Sequence, residues 1–313
     1  MRAQPPCLDG ATRQGIGWGL AWSALALMIL SGWFAVTRLV VTGNLSVWDV
    51  VALRVGVGGL LLLPALVGPG RGLPWRAWRD GAVLAFCWGA PFVLCVAAGL
   101  RLTSAADAAS ITPGLMPVFA AAFAWMTGER FGARRATGFA VIVTGIGLLV
   151  FAHRDSGASL VGSLYLIAGA AMWAAYAVRL ARGTLTSVQA AALVCVWSAA
   201  VYVPLYMLSG VSQLGGATWG EIAFQVLYQG VLMSVVAIFA FNRAVAMLGP
   251  AAATAIIALI PVLATALAWP ILNETPSPLA CVAIGVITCG VAFAAFRKPG
   301  WRAPETLRLR PTT

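Results

Sequence analysis

Ten long, sparsely charged apolar runs, set apart by short polar breaks, leave this chain few ways to fold. They lie near residues 16–37, 48–67, 81–100, 104–126, 136–152, 162–181, 188–209, 221–241, 250–270 and 277–296. A membrane helix needs about 20 apolar residues to cross a hydrocarbon core of roughly 30 Å. A soluble domain carries roughly 25% charged residues; this chain of 313 residues is 61% hydrophobic and only 9% charged. It cannot cover itself with a water-compatible surface. Barrel strands would alternate apolar and polar residues over about ten positions. These runs are continuous and longer, so their backbone groups must be satisfied within helices. The expected fold is all-α and membrane-integral, with ten transmembrane helices.

A formal net charge of +11 would suit a nucleic-acid partner, but its placement points elsewhere. With the N-terminus in the cytoplasm, Arg2, Arg13, Arg71, Arg76, Arg79, Arg130, Arg134, Arg135, Arg182 and Arg243 fall inside. So do Arg297, Lys298, Arg302, Arg308 and Arg310, while only Arg101 and Arg154 fall outside. This is the positive-inside asymmetry of a membrane protein. The lipid bilayer is therefore the expected partner, nucleic acid is not, and both termini are expected to be cytoplasmic tails, 1–15 and 297–313. The first run is too long for a signal-peptide core, and no small-residue cleavage site follows it. Six cysteines show no CxxC spacing, and all but Cys7 lie within runs, where Cys behaves as a small hydrophobe. No disulfide framework, metal or cofactor is expected.

The runs are duplicated. Leu115–Trp125 reads LMPVFAAAFAW and Leu259–Trp269 reads LIPVLATALAW, and each is followed by one acid, Glu129 or Glu274. Five crossings separate the copies, so they traverse the bilayer in opposite directions as an inverted repeat. Gly138, Gly145 and Gly147 of the fifth run answer Gly285 and Gly290 of the tenth, and small residues let membrane helices approach closely. Trp33 followed by Arg38 recurs as Trp173 followed by Arg179. Two five-helix repeats are expected, 16–152 and 162–296, joined by an external linker at 153–161.

In both Gly99–Leu149 and Ala244–Phe293, a small-residue helix start (TSAADAAS; GPAAATA) leads to Pro-Val, then Glu, then a Gly-rich run. With the Ala-Leu-Arg at Ala52 to Arg54, this pattern resembles the drug/metabolite transporter superfamily, specifically the EamA-type ten-helix permeases. That resemblance implies a secondary carrier for small organic solutes with a central cavity between two halves. Rocking of one half against the other would expose such a cavity to each side in turn. Pro91, Pro113, Pro117, Pro204 and Pro261 lie within runs, where they permit kinks or merely shape packing.

Polar groups inside the membrane are the candidate site, because burying them there is costly. Arg54 lies two turns into its run. Its guanidinium matches a substrate carboxylate, or it pairs structurally with Asp107, or it snorkels to the surface. Asp107 opens the fourth run, where a carboxylate gains from the helix dipole; the sharper reading is proton coupling or recognition of an amine. Gln225 and Gln229 are four apart and share a helix face that could line the cavity. Trp33, Trp88, Trp173 and Tyr176 supply flat walls with a polar edge. Glu129 and Glu274 are read as caps, and Arg38 and Arg179 as interface anchors.

An enzyme would need a base, a nucleophile or a metal site, and a channel a filter loop or charged ring. The only histidine is His153, and no HExxH, GxSxG or GxxxxGK[ST] segment occurs. An enzyme or channel is the alternative reading. The expected function is a permease, monomeric or homodimeric, in a bacterial inner membrane. It would move amino acids, metabolites or drug-like compounds by alternating access, with export favoured by the resemblance.

Overall fold

The computed structural model describes residues 9–67, 72–152, 157–248 and 250–295. The expected C-terminal tail, most of the N-terminal one, and the loop residues His153, Arg154 and Asp155 lie outside that range. Every regular element among the described residues is helical. In chain order these are α1 (Asp9–Val41), α2 (Val47–Leu62), the single turn α3 (Pro64–Val67), α4 (Trp75–Trp88) and α5 (Ala90–Leu102). α6 (Ala105–Met126), α7 (Ala133–Ala152), α8 (Gly157–Arg182) and α9 (Ser187–Ser209) follow. The eighth crossing joins α10 (Trp219–Gln225), a π-helical segment (Val226–Val236) and α11 (Ala237–Leu248). α12 (Pro250–Leu272) and α13 (Pro278–Ala295) complete the bundle. Among the described residues nine stretches are long and apolar enough to cross a membrane, and the shorter apolar helix Pro278–Ala294 takes the tenth place.

Helix starts follow local chemistry. Ser46 and Asp49 form a capping box at α2, and Thr186 and Gln189 form one at α9, the corresponding helix of the second half. α1 begins at Asp9, inside the expected tail, and α8 at Gly157, inside the expected linker. The third crossing starts at Trp75, not 81, because its first turns carry Arg76, Arg79 and Asp80, which a search for apolar runs passes over.

Packing repeats with a two-fold pattern. α1 lies against α12 and α11, while its counterpart α8 lies against α6 and α5. The pairs α2 with α9, α6 with α12 and α7 with α13 join each helix to its own counterpart. In the last pair Gly138 meets Ala294, Ile142 meets Gly290 and Gly145 meets Ile287, so the two helices run antiparallel. A Cβ on Gly138 would come within 2.7 Å of Ala294, which is why only glycine fits there. Gly147 and Gly285, grouped with these by sequence, have nothing within 4 Å where a Cβ would stand, and play no part in that contact. Large apolar side chains such as Leu60, Met207, Leu208 and Trp219 cover the outside, as a lipid-facing surface requires.

Candidate functional site

Side chains from five crossings meet inside the bundle. The Trp33 indole N–H of α1 donates to Gln229 Oε1 at 2.9 Å, and Gln229 Nε2 donates to Thr37 Oγ1 at 3.1 Å. The Arg54 guanidinium of α2 lies over the Trp33 ring, 5.2 Å from its centroid. Phe92 of α5 lies nearly parallel to Trp33 with centroids 6.3 Å apart, and Trp88 stacks on Phe92 at 4.4 Å. Trp173 and Tyr176 of α8 close on Trp88 at 4.8 and 5.3 Å. A continuous line of contacts therefore runs from Arg54 to Tyr176.

Two breaks in helical regularity make this possible. The third crossing is interrupted at Gly89, where Ser198 Oγ accepts the Ala90 N–H at 3.2 Å. A Cβ on Gly89 would collide with that same Ser198 oxygen. The interruption re-aims the chain so that Trp88 and Phe92 stack across it. In the eighth crossing, the wider π-helical turns carry Gln229 and place Gly230 against Val57 of α2. Ser234 Oγ donates to the Gln229 carbonyl at 3.1 Å, tying the amide's backbone down.

Arg54 is 7% exposed, and its Nη1 has no hydrogen-bond partner among the described residues. The alternative partner expected from sequence, Asp107, does not form an ion pair with it. Asp107 sits in the first turn of α6, two residues past Ala105, beneath a cap in which its N–H donates to Ser104 Oγ at 3.0 Å. Gln225 is buried one turn before Gln229, with its Oε1 lacking a partner among the described residues. Trp33, Arg54, Trp88, Trp173, Tyr176 and Gln229 thus converge, while Asp107 belongs to a helix end. Sequence reasoning missed Phe92, which nothing but its position four residues after Trp88 distinguishes. It missed Thr37 as well, although the spacing Trp33–Thr37 puts both on one helix face.

The two ends of the bundle differ. Arg38, read from sequence as an anchor, bonds through Nε to Glu274 Oε1 at 2.9 Å. Its Nη1 donates to the carbonyls of Leu100 at 2.6 Å and Arg101 at 3.0 Å, and Glu274 Oε2 accepts the Ala105 N–H at 2.9 Å. This cluster ties α1, α5, α6 and the end of α12 together. At the opposite end Arg182 bonds to Glu129 at 2.9 Å and to Thr127 Oγ1 at 2.8 Å, and Arg179 to Asp80 at 2.8 Å. The side chains of Arg38 and Glu274 are 21% and 24% exposed, those of Arg182 and Glu129 44% and 65%. The first ion pair is the more buried of the two. A cavity of about 610 Å³ lies beside the second, between α4, α6 and α8, lined by Asp80, Cys87, Phe123, Thr127, Arg179 and Arg182 among others. Its inner lining includes Cys87 and Ala175, the chain neighbours of Trp88 and Tyr176.

The model of the EamA-like transporter family matches residues 17–151 and again 160–296. The chain belongs to the EamA-like transporter family. Two consecutive copies account for the two-fold packing of this EamA-like transporter, each copy supplying one five-helix half. A crystal structure of another protein superposes with a TM-score of 0.60 at 22% identity, covering 88% of this chain and 96% of that one, a likeness of fold. No curated protein matches the chain.

Proposed function

We propose that this EamA-like transporter is a secondary carrier that exports small organic solutes across a bacterial inner membrane by alternating access. The observation that supports this reading most is the difference between its two ends. A cavity lined by Arg182 and Thr127 also touches Cys87 and Ala175, the chain neighbours of Trp88 and Tyr176, while at the other end the more buried Arg38–Glu274 cluster ties four helices together. The excess of arginine at the Arg182 end favours a cytoplasmic position for it. A solute would then enter from the cytoplasm, rest against Trp88, Trp173 and Tyr176, and leave when the halves rock and the Arg38–Glu274 end opens. The chemistry of the site, flat aromatic faces beside one cation and one amide, suits amino acids, metabolites or drug-like compounds.

Comparative mass spectrometry of the medium tests the reading, with cells expressing the protein set against cells carrying an empty vector. The expected result is a small solute that accumulates outside only with the intact protein, and that purified protein in vesicles then moves down its gradient. Vesicles that release none of the accumulating solutes would refute a carrier.

A further inference from the structure

We propose that Arg54 is the anion receptor of this carrier, and that its solutes are small carboxylates with a flat or apolar body. The proposal rests on the carrier reading above and specifies its substrate class.

Arg54 is the eighth residue of α2, about 10 Å along the axis from its start. Its guanidinium carries its charge at any physiological pH, and a charge at that depth is costly without an opposite one nearby. Trp33 offsets part of that cost through its ring face, but the ring gives Nη1 nothing to donate to. Gln229, the neighbouring amide, has its oxygen turned to the Trp33 N–H instead. No carboxylate among the described residues forms an ion pair with Arg54: Asp80 pairs with Arg179, Glu129 with Arg182 and Glu274 with Arg38, Asp49 bonds to Tyr206 and Ser46, and Asp107 lies at its own helix end. Glu221 caps its own helix at Thr218. Among the described residues Arg54 therefore has no countercharge, and a buried guanidinium with a free edge is complementary to an incoming oxyanion. Its planar fork fits the two oxygens of a carboxylate.

The rest of the group sets the body of the solute. Phe92 lies beside Trp33, and Trp88 and Trp173 continue the line of rings from it. A carboxylate bound at Arg54 would set its apolar part against this aromatic group. An ammonium in the same place would meet Arg54 head-on and be repelled.

Calorimetric titration of the purified full-length protein with four probes separates the possibilities: benzoate, benzyl alcohol, benzylamine and chloride. Benzoate is expected to bind at least about tenfold more tightly than benzyl alcohol, the value of a charge-assisted pair, and the amine and chloride not measurably. Arg54→Gln is expected to lose benzoate binding, with Arg54→Lys intermediate because it keeps the charge and loses the fork. Without ligand, Arg54→Gln should unfold at the same temperature as the wild type or higher, since it removes an uncompensated charge. Four results would overturn the proposal: no benzoate binding, equal binding of benzoate and benzyl alcohol, chloride binding as tight as benzoate, or benzoate binding undiminished in Arg54→Gln. A lower unfolding temperature for unliganded Arg54→Gln would assign Arg54 to structure instead. None of these outcomes bears on whether the medium gains a solute, so the carrier reading stands or falls separately.

Discussion

At the scale of single residues, Trp33 does two things at once. Its ring supports Arg54 and faces Phe92, and its N–H holds Gln229. Trp33→Phe keeps an aromatic face and removes only the donor, leaving a buried amide oxygen unsatisfied. That change is expected to lower unfolding stability by about 1–2 kcal/mol and to slow transport; an unchanged thermal unfolding profile in detergent would show that the bond contributes nothing. The same residues show what can be read from sequence. Arg54 was legible because a charge inside an apolar run has few uses, and Trp33 and Trp173 because each precedes an arginine at matching places. Phe92 was not, being one of thirteen phenylalanines in the chain. The pairing of Arg38 with Glu274 joins residues 236 positions apart, a contact that only the folded bundle defines.

At the scale of elements, the ten crossings were legible because their length and apolarity are imposed by the bilayer. The two irregularities that build the site were not. A glycine is common in this chain, and what distinguishes Gly89 is the Ser198 side chain that leaves no room for a Cβ. The π-helical segment likewise depends on Gly230 packing against Val57, a matter of tertiary contact rather than propensity. Gly89→Ala is expected to cost about 1–3 kcal/mol through overpacking and to abolish transport by parting Trp88 from Phe92. Gly147→Ala is the matched control, since nothing lies within 4 Å. It should leave transport intact and stability equal or higher by up to about 1 kcal/mol, the helix-propensity gain of Ala over Gly. Equal loss of transport in both variants would contradict the role assigned to the Gly89 break.

At the scale of the whole molecule, the duplicated peptide already implied two halves in opposite orientation, and the antiparallel pairing of α7 with α13 realises it. The sequence does not tell the two ends apart, because each copy of the repeated peptide is followed by one acid, Glu129 or Glu274. The Arg38–Glu274 pair is more buried than the Arg182–Glu129 pair, so the two ends of the bundle are not equivalent. On the proposed carrier reading, the ion clusters would hold that difference. Glu274→Gln removes the charge that binds Arg38 at the more buried end and should favour the form open at that end. Glu129→Gln weakens an exposed pair worth at most about 1 kcal/mol and should change the balance little. Transport of the solute found in the medium, measured in vesicles for both variants, is expected to fall markedly for Glu274→Gln alone.

Alternating access is tested most directly at Cys87, which lines the cavity. In a variant keeping Cys87 as the sole cysteine, a membrane-impermeant maleimide should label it rapidly from the cytoplasmic face of inverted vesicles and slowly from outside intact cells. Adding Glu274→Gln should raise the outside rate and lower the inside one. Labelling of Cys87 from the outer face alone, or rates on both faces indifferent to Glu274→Gln, would contradict a carrier that opens to one side at a time.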